Sequence, residues 1–511
     1  MGRRIRWLGV VLILCFALVL VQLANVQFRR ASALANSPSN PKNQQAHFNN
    51  GRGVILAADG TILAQSNPSG PGDLYHYTRT YPLGPLTAQV VGFDSLKYGT
   101  TGVEYQYNSY LVPHSQPAKT LSQLLSPPPP TTDNVTLTLV PSLQQTAEQA
   151  LANVSGPNKD GAVVAINPTT GAVEAMYGSP SYNPNYLASP SGHVEDVADY
   201  SYLSKDGEGF SPSQPMTTVR AIAPGSTFKV VTTSAVYDLR PDLSNFNFPP
   251  ALCIPLPNSP KQLCNDSGPC GGMISSMLPQ SCDPGYGQLG LTLGGTTLYK
   301  QASQFGYDSV PPIDLPDVSK SGFPNPFQFL PSAPANSPGL PGLAYSAIGQ
   351  EDVTATALQN ALVAAGIANG GVVMTPHVMA QIRASDGTLV TSYQPKPWLQ
   401  ATTQSTAAQV TALMQSVVTH GTAAQCSCIS PSLDAAVKTG TAQTGPPLNE
   451  TDDWMIGFAP ANNPKIAVAV VVPYQAFSAT GALVAGPIMN AMLTAALAQP
   501  TVAVPPAVPG H

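Results

Sequence analysis

Pro224-Gly225-Ser226-Thr227-Phe228-Lys229, read together with Lys438-Thr439-Gly440-Thr441 far downstream, decides how this chain is understood. Residues three apart on a helix share a face, so a serine in the first turn meets a lysine one turn later. A serine hydroxyl is a poor nucleophile without an adjacent base. A lysine serves as that base when burial or a neighbouring cation lowers its pKa. Lys438 is the candidate for that second cation. The pattern Ser-x-x-Lys alone carries little, since Ser39-Asn40-Pro41-Lys42 matches it too. Context separates the two. Ser226 opens an apolar stretch from Phe228 to Tyr237 that reads as a buried helix, whereas Ser39 sits among Pro, Ser and Asn with no helical period. A helix start at Ser226 also favours negative charge developing there.

At the amino terminus, Arg3, Arg4 and Arg6 precede an unbroken apolar run from Trp7 to Val21, extended by Leu23, Ala24 and Val26. One reading is a cleaved signal peptide, with Ala33-Leu34-Ala35 as a small-residue cleavage site. The other is an uncleaved signal-anchor over 7–26 behind a cytoplasmic stub, 1–6. Arg29 and Arg30 lie between the run and the site, which favours the anchor. Basic residues before the run place the amino terminus inside and the bulk of the chain outside the membrane.

The 511 residues suggest several domains of about 150 residues each. Charged residues make up only 10% and the net charge is −5, with no basic stripe for nucleic acid. Besides Cys15, six cysteines occur at Cys253, Cys264, Cys270, Cys282, Cys426 and Cys428, which fits an exported protein. Their clustering suggests one or two loop staples within 253–282; free buried thiols are the alternative, and no pairing is assigned. The cysteine and histidine spacings offer no metal set and no Ser-His-Asp arrangement, and no cofactor is expected.

Val54 to Ala64 reads as a hairpin around Asp59-Gly60. The residues 27–130 look like a small, extended, β-rich module, closed by Pro127 to Pro130 as a stiff boundary. Within 131–499 the pattern is more regular. It gives a strand at 135–139, a helix at 141–154, and a hairpin of 161–166 and 172–176. The nucleophile helix is expected at 226–237 and a further helix at 352–369. Late strands at 434–438, 453–458 and 465–472 precede a closing helix at 486–498. Strands from both ends flanking central helices predict an α+β domain, an antiparallel sheet covered by helices. The tail 500–511 reads as disordered.

These motifs resemble those of the class B penicillin-binding proteins, monofunctional peptidoglycan D,D-transpeptidases, in their short actinobacterial type. The likeness runs through Arg52-Gly53-Val54-Ile55, Gly102-Val103-Glu104, Gly161-Ala162-Val163-Val164-Ala165 and Pro180-Ser181-Tyr182-Asn183. It continues through Pro224 to Lys229, Ile348-Gly349-Gln350, Lys438 to Gln443 and Trp454 to Pro460. The resemblance implies a transpeptidase fold in which Ser226 attacks the D-Ala-D-Ala carbonyl of a peptidoglycan stem peptide and Lys229 takes its proton. The backbone N–H groups of Ser226 and Thr441 would form the oxyanion hole. Lys438 and Thr439 would hold the substrate carboxylate, Thr441 adding its hydroxyl, and Gly440 would leave the strand edge open for the substrate. It further implies covalent inhibition by β-lactams, a single-pass membrane location and partners in the wall-synthesis machinery.

One departure stands out. The family expects Ser-x-Asn as the middle element, and here Ser281-Cys282-Asp283 occupies that place. Ionised Asp accepts hydrogen bonds but donates none, and a carboxylate near Lys229 favours the charged lysine and opposes its role as base. This substitution is the support for one alternative, a catalytically weakened scaffold partner in wall assembly; a β-lactam-binding sensor or β-lactamase is a further one. Glu104 is expected as a fold-stabilising contact, Trp454 as core or cleft wall, and Tyr182 and Gln350 as scaffold.

Overall fold

The computed structural model describes residues 2–30, 49–70, 75–114, 122, 130–154, 159–188, 214–330, 332–334, 336–445 and 449–499. The candidate cleavage site at Ala33, the serine at Ser39, Pro127 to Pro129 and the tail from 500 onward lie outside them.

Five antiparallel strands form the central sheet, in the order Ala436–Gln443, Glu450–Ala459, Ile466–Ala476, Gly161–Ile166, Val173–Ser179. Side chains alternate between the two faces of each strand. Ile456, Phe458, Ala469, Val471 and Val164 enter one core, and Met455, Val468, Val470 and Val163 enter the other. The first face is covered by the helix Ala357–Ala368, buried on all sides from Ala357 through Ile367. The second is covered by the helices Pro141–Ala152 and Gly481–Ala498, through Leu143, Leu151, Ile488 and Met489. With both faces covered, these strands read as unbroken apolar runs. The antiparallel sheet between helices is the predicted α+β arrangement.

The N-terminal module is built around a six-stranded sheet. Its order is Leu389–Ser392, Met379–Ala384, Asp133–Leu137, Ile55–Leu56, Ile62–Pro68, Tyr77–Thr80. The Asp59-Gly60 hairpin is present, with Thr61 N donating to Asp59 Oδ1 at 2.9 Å. The module's expected β-rich content is accompanied by short helices, Gly102–Gln106 and Asn108–Leu111, the second packed on Asp133–Leu137. One feature differs from expectation: the sheet takes strands from either side of the Pro127–Pro130 punctuation, because the hairpin at 379–392 pairs with Asp133–Leu137. Asp314 clamps that junction. Its Oδ1 accepts from Val378 N at 2.6 Å, and its Oδ2 accepts from Met379 N at 2.9 Å and from the Tyr107 hydroxyl.

Glu104 holds the module's interior together. Its carboxylate receives Arg52 Nε at 2.5 Å and Arg79 Nε at 2.7 Å, all three side chains being buried. Removing one partner of a buried charge pair leaves the other charge uncompensated. Glu104→Ala takes the shared carboxylate from two buried guanidinium groups, of which Arg52 keeps Asp94 at 3.8 Å, and we expect a loss of about 3 kcal/mol in unfolding free energy, measured by urea denaturation.

Sequence reading overlooked the helices Ile274–Gln280, Asp283–Leu293, Gly295–Gln304, Gly339–Ser346 and Gln404–His420. It also began the closing helix late: Gly481 is its first residue, and Pro487 is accommodated within it. Within 253–282 the expected staples are Cys253–Cys264 and Cys270–Cys282; a third bridge joins Cys426 to Cys428.

Candidate active site

Ser226 lies in a tight helical turn, Gly225–Phe228, that feeds the helix Lys229–Leu239. Phe228 anchors that turn by stacking on Phe323 at 5.5 Å and meeting Tyr307 edge-on. Ser226 itself is half-buried, while Lys229 is fully buried one turn later. The turn is clamped against the edge strand Ala436–Gln443. A Cβ on Gly440 would stand 2.8 Å from Pro224 O and from Thr227 Cγ2, and one on Gly225, whose φ is +53°, would stand 2.8 Å from Thr441 O. Gly440 is therefore required for the strand to approach the nucleophile turn. Trp454, fully buried on the neighbouring strand, donates from Nε1 to Ala223 O at 2.9 Å and fixes the approach to this turn.

Ser281, Lys229 and Lys438 meet in one place. Lys229 Nζ donates to Ser281 O at 2.7 Å, reaches Ser281 Oγ at 3.3 Å, and pairs with Asp283 Oδ1 at 2.5 Å. Lys438 Nζ donates to the same Ser281 Oγ at 2.9 Å and to Thr439 O at 2.8 Å. Ser281 sits in a left-handed turn, φ +57°, between the helices Ile274–Gln280 and Asp283–Leu293. It does not cap a helix N-terminus. The disulfide Cys270–Cys282 and the bond from Asp283 N to Asn265 Oδ1, 3.1 Å, hold this turn in position.

Burial pushes the Lys229 ammonium below its ordinary pKa, and the Asp283 carboxylate opposes that shift by charge and by hydrogen bond. Lys438 is pushed well below its ordinary value by burial first and by the Lys229 charge second. Burial thus outweighs the Asp283 carboxylate at Lys229, and the two buried ammonium groups oppose each other's charge, with Lys438 the more strongly lowered.

The threonine hydroxyls of the edge strand have partners within the protein. Thr439 Oγ1 is engaged with Thr422 Oγ1 at 2.7 Å. Thr441 Oγ1 accepts from Gly481 N at 3.0 Å, so its hydroxyl oxygen is committed to the start of the closing helix. Sequence reasoning missed Asn265, Thr422, Asn360 and Gly481, which have no motif of their own. Asn360 Nδ2 reaches Thr227 Oγ1 at 3.3 Å from the buried helix. Ser181-Tyr182-Asn183, the literal Ser-x-Asn, is remote from these groups. Its Ser181 and Tyr182 hydroxyls donate to Pro85 O and Ala88 O and join the N-terminal module to the main domain. Among the described residues no group of His, Cys, Asp and Glu is placed to hold a metal ion.

Residues 161–494 match the family model of the penicillin binding protein transpeptidase domain. The chain belongs to this family of penicillin-binding proteins. Residues 52–135 match a second model, the penicillin binding protein A dimerisation domain. The chain is 34% identical to the peptidoglycan D,D-transpeptidase PbpA of Mycobacterium tuberculosis H37Rv, across 97% of this chain and 99% of that protein. PbpA of Mycolicibacterium smegmatis is also 34% identical, across 94% and 97%. Among solved structures, the ceftriaxone acyl-enzyme complex of penicillin-binding protein A from M. tuberculosis aligns with a TM-score of 0.76 and 33% identity, covering 87% of this chain and 98% of that one.

Proposed function

We propose that this penicillin-binding protein is a peptidoglycan D,D-transpeptidase acting through a Ser226 acyl-enzyme, with β-lactams as covalent inhibitors. The observation that carries the reading is the convergence of two fully buried lysines on the Ser281 hydroxyl, with Ser226 one turn ahead of the first.

Ser226 Oγ adds to the carbonyl carbon between the two terminal D-alanines. Lys229 takes the hydroxyl proton, and the backbone N–H groups of Ser226 and Thr441 receive the negative charge on oxygen. The C–N bond breaks, the proton passes to the departing D-Ala nitrogen, and an ester remains on Ser226. An amine from a second stem peptide then displaces Ser226 and closes the cross-link. A β-lactam opens by the same attack, but its leaving nitrogen stays tethered and obstructs the second amine. Lys438 and Thr439 supply the charge and hydroxyl for the substrate carboxylate. The apolar helix at the amino terminus, with a span of Trp7–Gln27 and mean hydropathy 2.7, supports a single membrane anchor with the bulk of the chain outside. The module within 27–130 and the transpeptidase domain within 131–499 complete this reading, with wall-synthesis proteins as partners.

The direct test is intact mass of the protein with and without excess penicillin, followed by peptide mapping. One added penicillin mass on the peptide carrying Ser226 is expected. An unmodified protein would overturn the reading and move the scaffold alternative to first place.

The Lys229–Asp283 pair gives a second prediction. A base must be neutral to accept a proton, and Asp283 opposes the lowering of Lys229 that burial brings. Asp283→Asn removes that opposition while keeping an acceptor for Lys229. Acylation by penicillin at pH 7 should rise by about tenfold, with the acid limb of the pH profile moving to lower pH. An unchanged profile would show that the pair does not restrain the base.

A further inference from the structure

Asp453 is a buried acid that the mechanism above leaves without a task. It stands directly opposite Thr441 in the ladder between the strands Ala436–Gln443 and Glu450–Ala459. Opposed residues of an antiparallel pair share a face, with side chains within reach of each other. Asp453 is fully buried, and its Oδ1 has no hydrogen-bond partner. Its Oδ2 accepts a long bond, 3.4 Å, from Thr451 Oγ1, and the Thr441 hydroxyl stands close enough to favour its charged form. The next strand offers apolar Val472 opposite it. An acid in such a place is expensive unless something nearby answers it.

The answer lies on Thr441. The closing helix packs its first residue so tightly on this strand pair that a Cβ on Gly481 would stand 2.1 Å from Gly440 O and 2.3 Å from Trp454 O. Gly481 N donates to Thr441 Oγ1, which leaves the hydroxyl proton free. Burial pushes Asp453 up to about 7, the hydroxyls of Thr441 and Thr451 favour its charged form, and Asp452 opposes that form. Asp452 is the charged neighbour acting on it; the edge strand contributes the Thr441 hydroxyl, the next strand Val472, and the helix the Gly481 N–H. Lys438 lies three positions from Thr441 and so on the opposite face of the edge strand.

We propose that Asp453 is a positioning residue for acyl transfer, its carboxylate holding the Thr441 hydroxyl against the Gly481 end of the closing helix and thereby fixing the Thr441 backbone N–H as an oxyanion donor. The proposal rests on the reading of Thr441 as that donor. When Asp453 is charged it accepts the Thr441 proton, and the hydroxyl is pinned from both sides. When Asp453 is protonated the hydroxyl loses its acceptor, turns more freely, and the donor beside it is less well aimed. Acylation should therefore quicken as pH rises through the ionisation of Asp453.

The test is the second-order acylation rate by a chromogenic cephalosporin between pH 5.5 and 8.5, for wild type, Asp453→Asn, Thr441→Ser and Thr441→Val, with the melting temperature of each. A donor that is kept but misaimed costs less than one removed, about tenfold at the upper pH. Asp453→Asn should lose that factor together with the inflection near neutrality, while the lysine inflections remain. Thr441→Ser should keep the inflection and Thr441→Val should lose it, so the proposal stays testable if Asp453→Asn does not fold. A wild-type profile in Asp453→Asn, or a lower rate with the same inflection, overturns the proposal. A wild type that takes no acyl group at all overturns both it and the assignment of the site.

Discussion

Ser226→Ala should leave the intact mass of the protein unchanged at every penicillin concentration, while wild type gains one adduct. The substitution removes a single half-buried oxygen. The turn is held by contacts that do not involve it: Gly225 N on Gly349 O at 2.9 Å, Thr227 Oγ1 on Pro224 O at 2.8 Å, and Phe228 in its aromatic cluster. The fold is therefore retained, and circular dichroism and melting temperature should match wild type within about 0.5 kcal/mol. Rate lost in this variant is attributable to the missing nucleophile. Residual labelling at another residue would show that Ser226 is not the acyl acceptor.

Lys229→Ala should retain labelling on Ser226 but slow it about a thousandfold, the range expected when a general base is removed. The variant is a fair test because the vacated partner is tolerable. The Asp283 side chain keeps 24% of its surface exposed, so its charge finds some water once the ammonium is gone. Ser281 remains tied to Lys438 through its hydroxyl. A rate within tenfold of wild type would shift the role of base to Lys438, which shares Ser281 with Lys229 and is the more strongly depressed of the two lysines. Pre-steady-state acylation kinetics separates the outcomes, because it reads the chemical step without the later hydrolysis.

What the sequence disclosed depended on how local the signal was. The Ser226–Lys229 spacing is a property of one turn, and the hairpin of Gly161–Ile166 and Val173–Ser179 is announced by its Asn-Pro-Thr-Thr-Gly turn, so both were readable. The helix Asp283–Leu293 was not. It carries Pro284 and three glycines, a composition that argues against a helix by local preference. Tertiary packing explains them: a Cβ on Gly285 would meet Met277 Sδ at 2.2 Å, and one on Gly290 would meet Ala347 Cβ at 2.3 Å. Asp283 was legible as an unusual residue in a known place, yet its pairing with Lys229 needed the fold to bring residues 54 apart within 2.5 Å. Asp453 was invisible for a different reason. Its partner is set by strand register, which no local pattern specifies when both faces are buried.

The hairpin at 379–392 that completes the N-terminal sheet bears on the order in which the chain can mature. Strand Asp133–Leu137 is made early, but its outer neighbour Met379–Ala384 is among the later strands to be synthesised. Until then the sheet presents an unpaired edge, a template for pairing with other chains. The early half of the chain must therefore wait, shielded or only loosely formed, for a segment that belongs in sequence to the other domain. A fragment ending at the proline boundary lacks Asp133–Leu137 as well and leaves Ile55–Leu56 as its open edge, so an N-terminal piece prepared for separate study should carry both that strand and the hairpin.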